Sequence, residues 1–326
     1  MMDVLITGGA GFLGVKLAKK LLELGKLTGQ DGKQHTLNRI VLLDQVAAQG
    51  FTDPRIVSIT GDVADAASVA RALTPSIQSV FHLAAVVSGE AESDFDLGMR
   101  INLDATRILL EQARQNGNRP RFVFTSSVAV FGGDLPAKVL DTTPATPQGS
   151  YGAQKAMCEL MVTDYARKGF VDGRSVRLPT VSVRPGKANK AASSFASGII
   201  REPLNGVTSI CPVPPSTRMW ILSPRSTVNN LIHAHEVDAA VFGSAGAVNL
   251  PGLSITVGEM VAAMERVAGD APVKLIKWEE DAAIMKLVRT WPGDFITTRG
   301  ESMGFVSDTN YDDVVRAYIY DELPKH

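Results

Sequence analysis

The run Gly8-Gly9-Ala10-Gly11-Phe12-Leu13-Gly14 constrains this chain more than any other stretch. It follows an apolar segment, Asp3–Gly8, and leads into Leu13, Leu17, Leu21 and Leu24, which recur at helical spacing between lysines. Apolar residues three or four apart make one stripe on a helix, so the pattern reads strand, glycine turn, amphipathic helix. Each glycine has a separate job in such a turn. Gly8 permits the tight bend, Gly11 lets the backbone approach a pyrophosphate, and Gly14 lets helix and strand pack closely, with phosphate at the helix N-terminus. In that context the heptad predicts a dinucleotide site, with Phe12 and Leu13 on its cofactor side.

Further apolar runs follow at Ile40–Asp44, Arg55–Thr60, Ser79–Ala85, Arg121–Ser127 and Val176–Val181. They are rich in Val, Ile, Leu and Phe with weak alternation, as strands covered on both faces are. Ala105 to Ala113 and Tyr151 to Arg167 have helical periods between them. The alternation predicts an α/β fold, a doubly wound parallel sheet of the Rossmann kind. Residues 1–183 are expected to form this cofactor domain. Residues 184–326 are expected to form a smaller C-terminal substrate domain, with some segments returning to the sheet. Helices are predicted over Thr227–Val241 and Thr256–Ala268, and the polar stretch Thr28–Asn38 reads as a surface loop.

With 33 basic and 34 acidic side chains, the chain has no electrostatic footprint for nucleic acid or an anionic membrane. No apolar run reaches the roughly 20 residues that span a bilayer. Met1 to Gly8 runs straight into a strand pattern, without the basic head and longer apolar stretch of a secretory leader, so a cytoplasmic location is expected. Cys158 and Cys211 are the only cysteines and read as buried thiols. His233-Ala-His235-Glu236 lacks the i,i+4 histidine spacing of a helical zinc motif, so no metal is expected. Trp220, Trp278 and Trp291 read as packing residues.

Asp44 ends the second run, where a carboxylate accepts hydrogen bonds from the adenosine ribose and repels a phosphate there. NAD is therefore expected rather than NADP. The interval from Gly14 to Asp44 exceeds the usual ~20 residues, which the polar insertion explains. Asp62 and Val63, after the third run, are candidates to flank the adenine. Tyr151 and Lys155 stand four residues apart, on one face of a helix. A free phenol has a pKa of ~10, and a nearby cation moves it toward the working range of a base. Ser127, ending a strand, is placed to hydrogen-bond a reacting oxygen.

As a set, the GxxGxxG turn, His82-Leu83-Ala84-Ala85, Asn102, Thr125-Ser126-Ser127 through Phe131-Gly132, and the Tyr151/Lys155 pair resemble the extended short-chain dehydrogenase/reductase family. The match covers roughly the first 185 residues. The resemblance implies a catalytic Ser127, Tyr151 and Lys155. It also implies that Leu83, Ala84 and Ala85 line the nicotinamide ribose, that Asn102 orders the site, and that Ser126 is a cofactor-side neighbour. Pro179 and Val181 would lie by the nicotinamide amide. A homodimer built from sheet-domain helices is implied as well.

The later chain departs from the nucleotide-sugar epimerases and dehydratases of that family. Arg177-Leu178-Pro179-Thr180 lacks their asparagine, and Arg218-Met219-Trp220-Ile221-Leu222-Ser223-Pro224 lacks the aspartate that ends their motif. Arg177 to Lys187, Asn189 to Leu204 and Gly304 to Asp313 instead resemble a narrower group, the D-erythronate dehydrogenases, which oxidise a four-carbon sugar acid at its 2-hydroxyl with NAD. That resemblance implies a small carboxylate substrate, for which Ser88, Arg184, Asn189, Lys190, Ser193, Ser194 and Arg218 are candidate ligands. Arg218 is the favoured cation, since the matching family arginine contacts the anionic part of the substrate. A nucleotide-sugar epimerase or dehydratase with tightly bound NAD is the alternative enzyme, and a non-catalytic dinucleotide sensor the third reading.

Overall fold

The computed structural model describes residues 1–186, 191–243 and 246–324. Its centre is an eight-stranded sheet. The strands are β1 (Met2–Thr7), β2 (Lys26–Thr28), β3 (Gln34–Asp44), β4 (Ile56–Thr60), β5 (Ile77–His82), β6 (Arg121–Ser127), β7 (Asp172–Leu178) and β10 (Val248–Asn249). Apart from β2 they pair in parallel, in the order β4-β3-β1-β5-β6-β7-β10. Because side chains alternate along a strand, Val4 and Ile6 face one layer and Leu5 the other.

Helix α1 (Phe12–Leu24) buries Leu17 and Leu21 on the first layer. Helices α2 (Ala105–Asn116) and α3 (Ser150–Arg167) bury Leu109, Leu110 and Val162 on the second. The order reverses between β3 and β5 around β1, and such a reversal opens a crevice at the C-terminal strand ends.

The last of the predicted sheet runs divides in two. β7 stops at Leu178, and β8 (Thr180–Val181) pairs with β9 (Arg218–Leu222) in a separate three-stranded sheet, which also contains β11 (Leu253–Thr256). Pro179 has no N–H to continue the ladder, so the chain changes sheets there. A third hydrophobic cluster, with Phe195, Ile199, Ile221, Met260 and Val314, lies under this small sheet.

Two late segments rejoin the main sheet. Helix α4 (Pro224–Glu236) packs Leu231 and Ile232 into the α1 layer, and β10 pairs with β7. Ser223 caps α4 and Pro224 opens it, as proline does where the N–H needs no partner. The helix expected over Thr227–Val241 breaks after Glu236, because Asp238 caps a separate short turn, Ala239–Phe242. Helix α5 (Val257–Ala268) begins at a capping box formed by Thr256 and Glu259.

The stretch read as a surface loop, Thr28–Asn38, is largely a hairpin: β2 pairs antiparallel with the first residues of β3. Leu27 and Leu37 enter the core, while Gly29 to Lys33 form the turn. With so few apolar positions, the alternation was masked by polar neighbours. Both cysteines are buried, and no helix among the described residues is long and apolar enough to cross a membrane.

Candidate active site

A cleft of about 640 Å³ opens at the C-terminal ends of the strands. The glycine turn forms one wall. Gly8 has φ +70°, and a Cβ there would stand 2.9 Å from the Ala84 nitrogen; one on Gly14 would stand 2.2 Å from the Gly8 carbonyl oxygen. The turn therefore closes on the β5 end only without side chains. Asp44 accepts hydrogen bonds from the Ala10 N–H at 3.0 Å and the Gln45 N–H at 2.7 Å, which fixes its carboxylate beside the turn.

Behind this wall, His82 bridges Thr7 Oγ1 at 2.7 Å and Thr106 Oγ1 at 2.9 Å. Burial pushes its pKa down to about 3, helped by the charge of Lys155, so the imidazole stays neutral and structural. Asn102 sits in a wide helical turn, Met99–Asp104. Its Oδ1 accepts from the Val86 N–H at 2.8 Å, and its Nδ2 donates to the Val86 carbonyl at 3.2 Å and to Gln154 Oε1 at 2.7 Å. It is fully buried and does not line the cleft; it holds Val86, which does.

At the far end, α3 brings Tyr151 and Lys155 beneath Ser127. A Cβ on Gly152 would lie 2.1 Å from the Ala129 carbonyl oxygen, so this glycine permits the close approach of helix and strand end. Tyr151 is hydrogen-bonded to Ser127, and burial pushes its phenol up to about 12, against the opposing pull of Arg184 and that hydrogen bond. The sequence pattern assigned the cationic influence to Lys155. In the structure its Nζ lies 5.7 Å from the Tyr151 ring centroid and 4.7 Å from that of Phe124, and Arg184 adds a second cationic influence on the phenol.

Lys155 is only 2% exposed, and burial lowers its pKa to about 8. Its ammonium donates to the Thr125 carbonyl at 2.8 Å. Two of its three N–H bonds thus have no protein acceptor among the described residues, as suits a group that binds ribose hydroxyls. The glycine turn, Asp44 and this ammonium with two N–H bonds to offer fit a nicotinamide dinucleotide.

Most of the expected residues meet on this cleft: Gly8, Gly11, Phe12, Leu13, Gly14, Asp44, Val63, Leu83, Ala84, Ala85, Ser88, Ser126, Ser127, Tyr151, Lys155, Pro179, Val181, Arg184, Ser193 and Arg218 all line it. Asp62 does not. It is turned to Arg100 at 2.5 Å and to the Ala64 N–H at 2.8 Å, and these partners outweigh burial to hold its carboxyl below the usual range. Neighbouring Gly61 takes its place on the wall. Ser126 spends its hydroxyl on Glu159, which also pairs with Arg177 at 2.7 Å. Asn189 and Lys190 lie outside the described residues.

Arg218 is exposed, with 3.3 Å contacts to Ser254, and after the hydrogen bonds from Thr256 its charge helps hold the Glu259 carboxyl below its usual range. Arg184 is part-buried: Nε donates to the Val181 carbonyl at 2.9 Å and Nη2 to Ser193 Oγ at 2.7 Å.

The tryptophans divide. Trp220 packs on Phe295 at 5.0 Å and also reaches the cleft, Trp291 lines it, and Trp278 is 43% exposed, so packing does not describe all three. Leu287, Thr290 and Pro292 join Trp291 on that wall, which no local motif announced. His233 contacts the Met303 carbonyl and His235 contacts Ser79 Oγ. Among the described residues, no three His, Cys, Asp or Glu side chains gather as metal ligands would.

The profile of the NAD dependent epimerase/dehydratase family matches residues 4–220. Over 320 residues the chain is 54% identical to D-erythronate dehydrogenase of Cupriavidus necator, covering 98% of each. Over 319 residues it is 44% identical to D-erythronate dehydrogenase of Haemophilus influenzae, covering 98% of this chain and 99% of that one. It superposes with a TM-score of 0.91 and 41% identity on the nucleoside-diphosphate-sugar epimerase from Agrobacterium tumefaciens, covering 98% of this chain and 94% of the other. Motifs, sheet order and site agree with these likenesses, and the chain belongs to the NAD-dependent epimerase/dehydratase family, the extended short-chain dehydrogenases.

Proposed function

We propose that this protein oxidises D-erythronate at its 2-hydroxyl to 2-oxo-tetronate, forming NADH and releasing one proton. The observation that carries the reading is the full-length likeness to D-erythronate dehydrogenase at 54% identity. The cleft supports it, because a phenol, a hydroxyl and guanidinium groups meet there. NAD, when bound, supplies the acceptor for the hydrogen leaving the carbon.

The protein's own residues handle the proton. Tyr151 takes it from the substrate hydroxyl, with the Arg184 charge and the Ser127 hydrogen bond drawing the phenol toward ionisation against its burial. Ser127 donates a hydrogen bond to the same oxygen as the carbonyl develops. Lys155 binds the nicotinamide ribose and keeps positive charge beside the phenol. Ser88, Ser193 and, from outside the described residues, Asn189 complete the substrate set. Asp44, Val63, Leu83, Ala84, Ala85, Pro179 and Val181 shape the NAD side.

On this reading, residues 1–183 form the cofactor unit, and the chain from 184 supplies the substrate side and the returning α4 and β10. A cytoplasmic homodimer is part of the same proposal. Support for the dimer comes from the outer face of α3, where Leu160 is 73% and Met157 38% exposed. A second enzymatic reading, nucleotide-sugar epimerisation, draws on the likeness to the Agrobacterium tumefaciens protein. The missing strand-end asparagine and motif aspartate weigh against it.

Net NADH formation separates the two, since an epimerase reoxidises its cofactor within each turnover. D-erythronate should give stoichiometric NADH, and UDP-sugars none. Tyr151→Phe should lower turnover by roughly two to four powers of ten with NADH binding retained. Near-normal turnover in that variant would remove Tyr151 as the base.

A further inference from the structure

Among the described residues, three cationic side chains line the cleft: Lys155, Arg184 and Arg218. Lys155 is buried at the cofactor end and anchored to Thr125. Arg218 lies exposed at the rim, on long contacts to Ser254. Arg184 differs from both. Its side chain is fixed by Val181 and Ser193, its N–H donates to Ser197 Oγ at 3.0 Å, and its carbonyl accepts from Arg201 at 2.9 Å.

Nearby arginines are neutralised: Arg177 by Glu159, Arg201 by Glu202. Arg184 has no acidic partner among the described residues, and its Nη1 has no acceptor there. A guanidinium withdrawn from water without a counter-charge is costly, and that cost is relieved when a ligand brings the anion. Its charge also reaches the Tyr151 phenol, whereas that of Arg218 is not among the influences felt there.

We propose that Arg184, held by Ser193, is the seat of the substrate carboxylate. This rests on the dehydrogenase reading and sharpens it. A carboxylate on Arg184 brings the adjacent carbon to Tyr151, so the site selects 2-hydroxy acids and oxidises the carbon next to the carboxylate. Arg218 then serves the distal, solvent-facing end of the substrate, against the expectation from sequence. A planar, preformed fork suits a carboxylate better than a mobile surface arginine.

The test compares D-erythronate with its neutral isostere D-erythronamide. Their dissociation constants from the enzyme–NADH complex are measured by NADH fluorescence, alongside kcat/KM for D-erythronate. Arg184→Ala should weaken D-erythronate binding and kcat/KM by about tenfold to a hundredfold, the range for a hydrogen bond to a charged group. It should leave NADH and D-erythronamide binding unchanged, so the preference for acid over amide collapses. Arg218→Ala should preserve that preference. If Arg184→Ala loses NADH binding, Arg184→Lys carries the same comparison: it keeps the charge without the fork and should retain part of the preference.

The seat is refuted if Arg184→Ala keeps the full acid-over-amide preference, or if Arg218→Ala abolishes it. Wild-type protein that binds D-erythronate through Arg184 yet forms no NADH would overturn the dehydrogenase reading and leave the seat standing.

Discussion

Asn102 offers a test of how the cleft wall is held. In Asn102→Leu the side-chain volume is nearly kept, but three hydrogen bonds vanish: two to the Val86 backbone and one to Gln154 Oε1. Gln154 is 1% exposed, and its Nε2 already lacks a partner among the described residues, so the variant strands both ends of a buried amide. Val86 is less enclosed, and water from the cleft can replace part of its loss. Counting ~1–3 kcal/mol for the stranded oxygen and ~1 kcal/mol for the two backbone bonds together gives about 3 kcal/mol. For a chain of 326 residues, with an unfolding entropy of ~2.1 cal/mol/K per residue, that corresponds to a fall in Tm of about 4 °C.

Differential scanning fluorimetry on cofactor-free protein reads the loss, and NADH titration reads the accompanying weakening, since Val86 lines the cleft. The double variant Asn102→Leu/Gln154→Leu should cost less than the two singles added, because each removes the same bond. A Tm within a degree of wild type, or strict additivity, would refute the clamp.

Other outcomes follow from single groups. Wild type should prefer NAD over NADP, and Asp44→Ala should narrow the gap in kcat/KM by removing the carboxylate that repels a ribose phosphate; equal use of both by wild type would sink the Asp44 argument. Burial lowers the Lys155 pKa to about 8 in the folded chain from its ordinary 10.5, so the unfolded chain binds more protons between those values. Stability of the cofactor-free protein should therefore rise with pH across that window, by up to ~3 kcal/mol. Urea unfolding at pH 8 and pH 10 should show the rise in wild type but not in Lys155→Met; parallel curves for the two would contradict it.

What could be read from the sequence was local chemistry. Gly8, Gly11 and Gly14 announce themselves because a turn this tight excludes side chains, and Tyr151 and Lys155 because helix geometry puts positions four apart on one face. The residues that sequence alone does not rank depend on contacts distant in the chain. Arg184 and Arg218 are equal as letters; only the pairing of β8 with β9 and the Ser193 hydroxyl make one fixed and the other exposed. Trp291 joins the cleft from a segment well over a hundred residues beyond Tyr151. Asp62 was assigned to the adenine because it follows a strand, but Arg100, far along the chain, takes its carboxylate. The β2–β3 hairpin escaped notice because just two of its residues, Leu27 and Leu37, carry the apolar signal.

The return of β10 to the main sheet bears on how this protein can be dissected. Residues 1–183 hold the glycine turn and the Tyr151 helix and look like a self-sufficient fragment. Cut there, however, β7 loses Val248 and Asn249 and becomes an open edge. The sheet face over Phe81, Val123 and Val176 also loses Leu231 and Ile232. An unpaired strand beside bare apolar surface is a template for intermolecular pairing. The truncated piece should aggregate during expression, and a shortened version of this protein has to retain residues through about Leu250 or supply a substitute strand and helix.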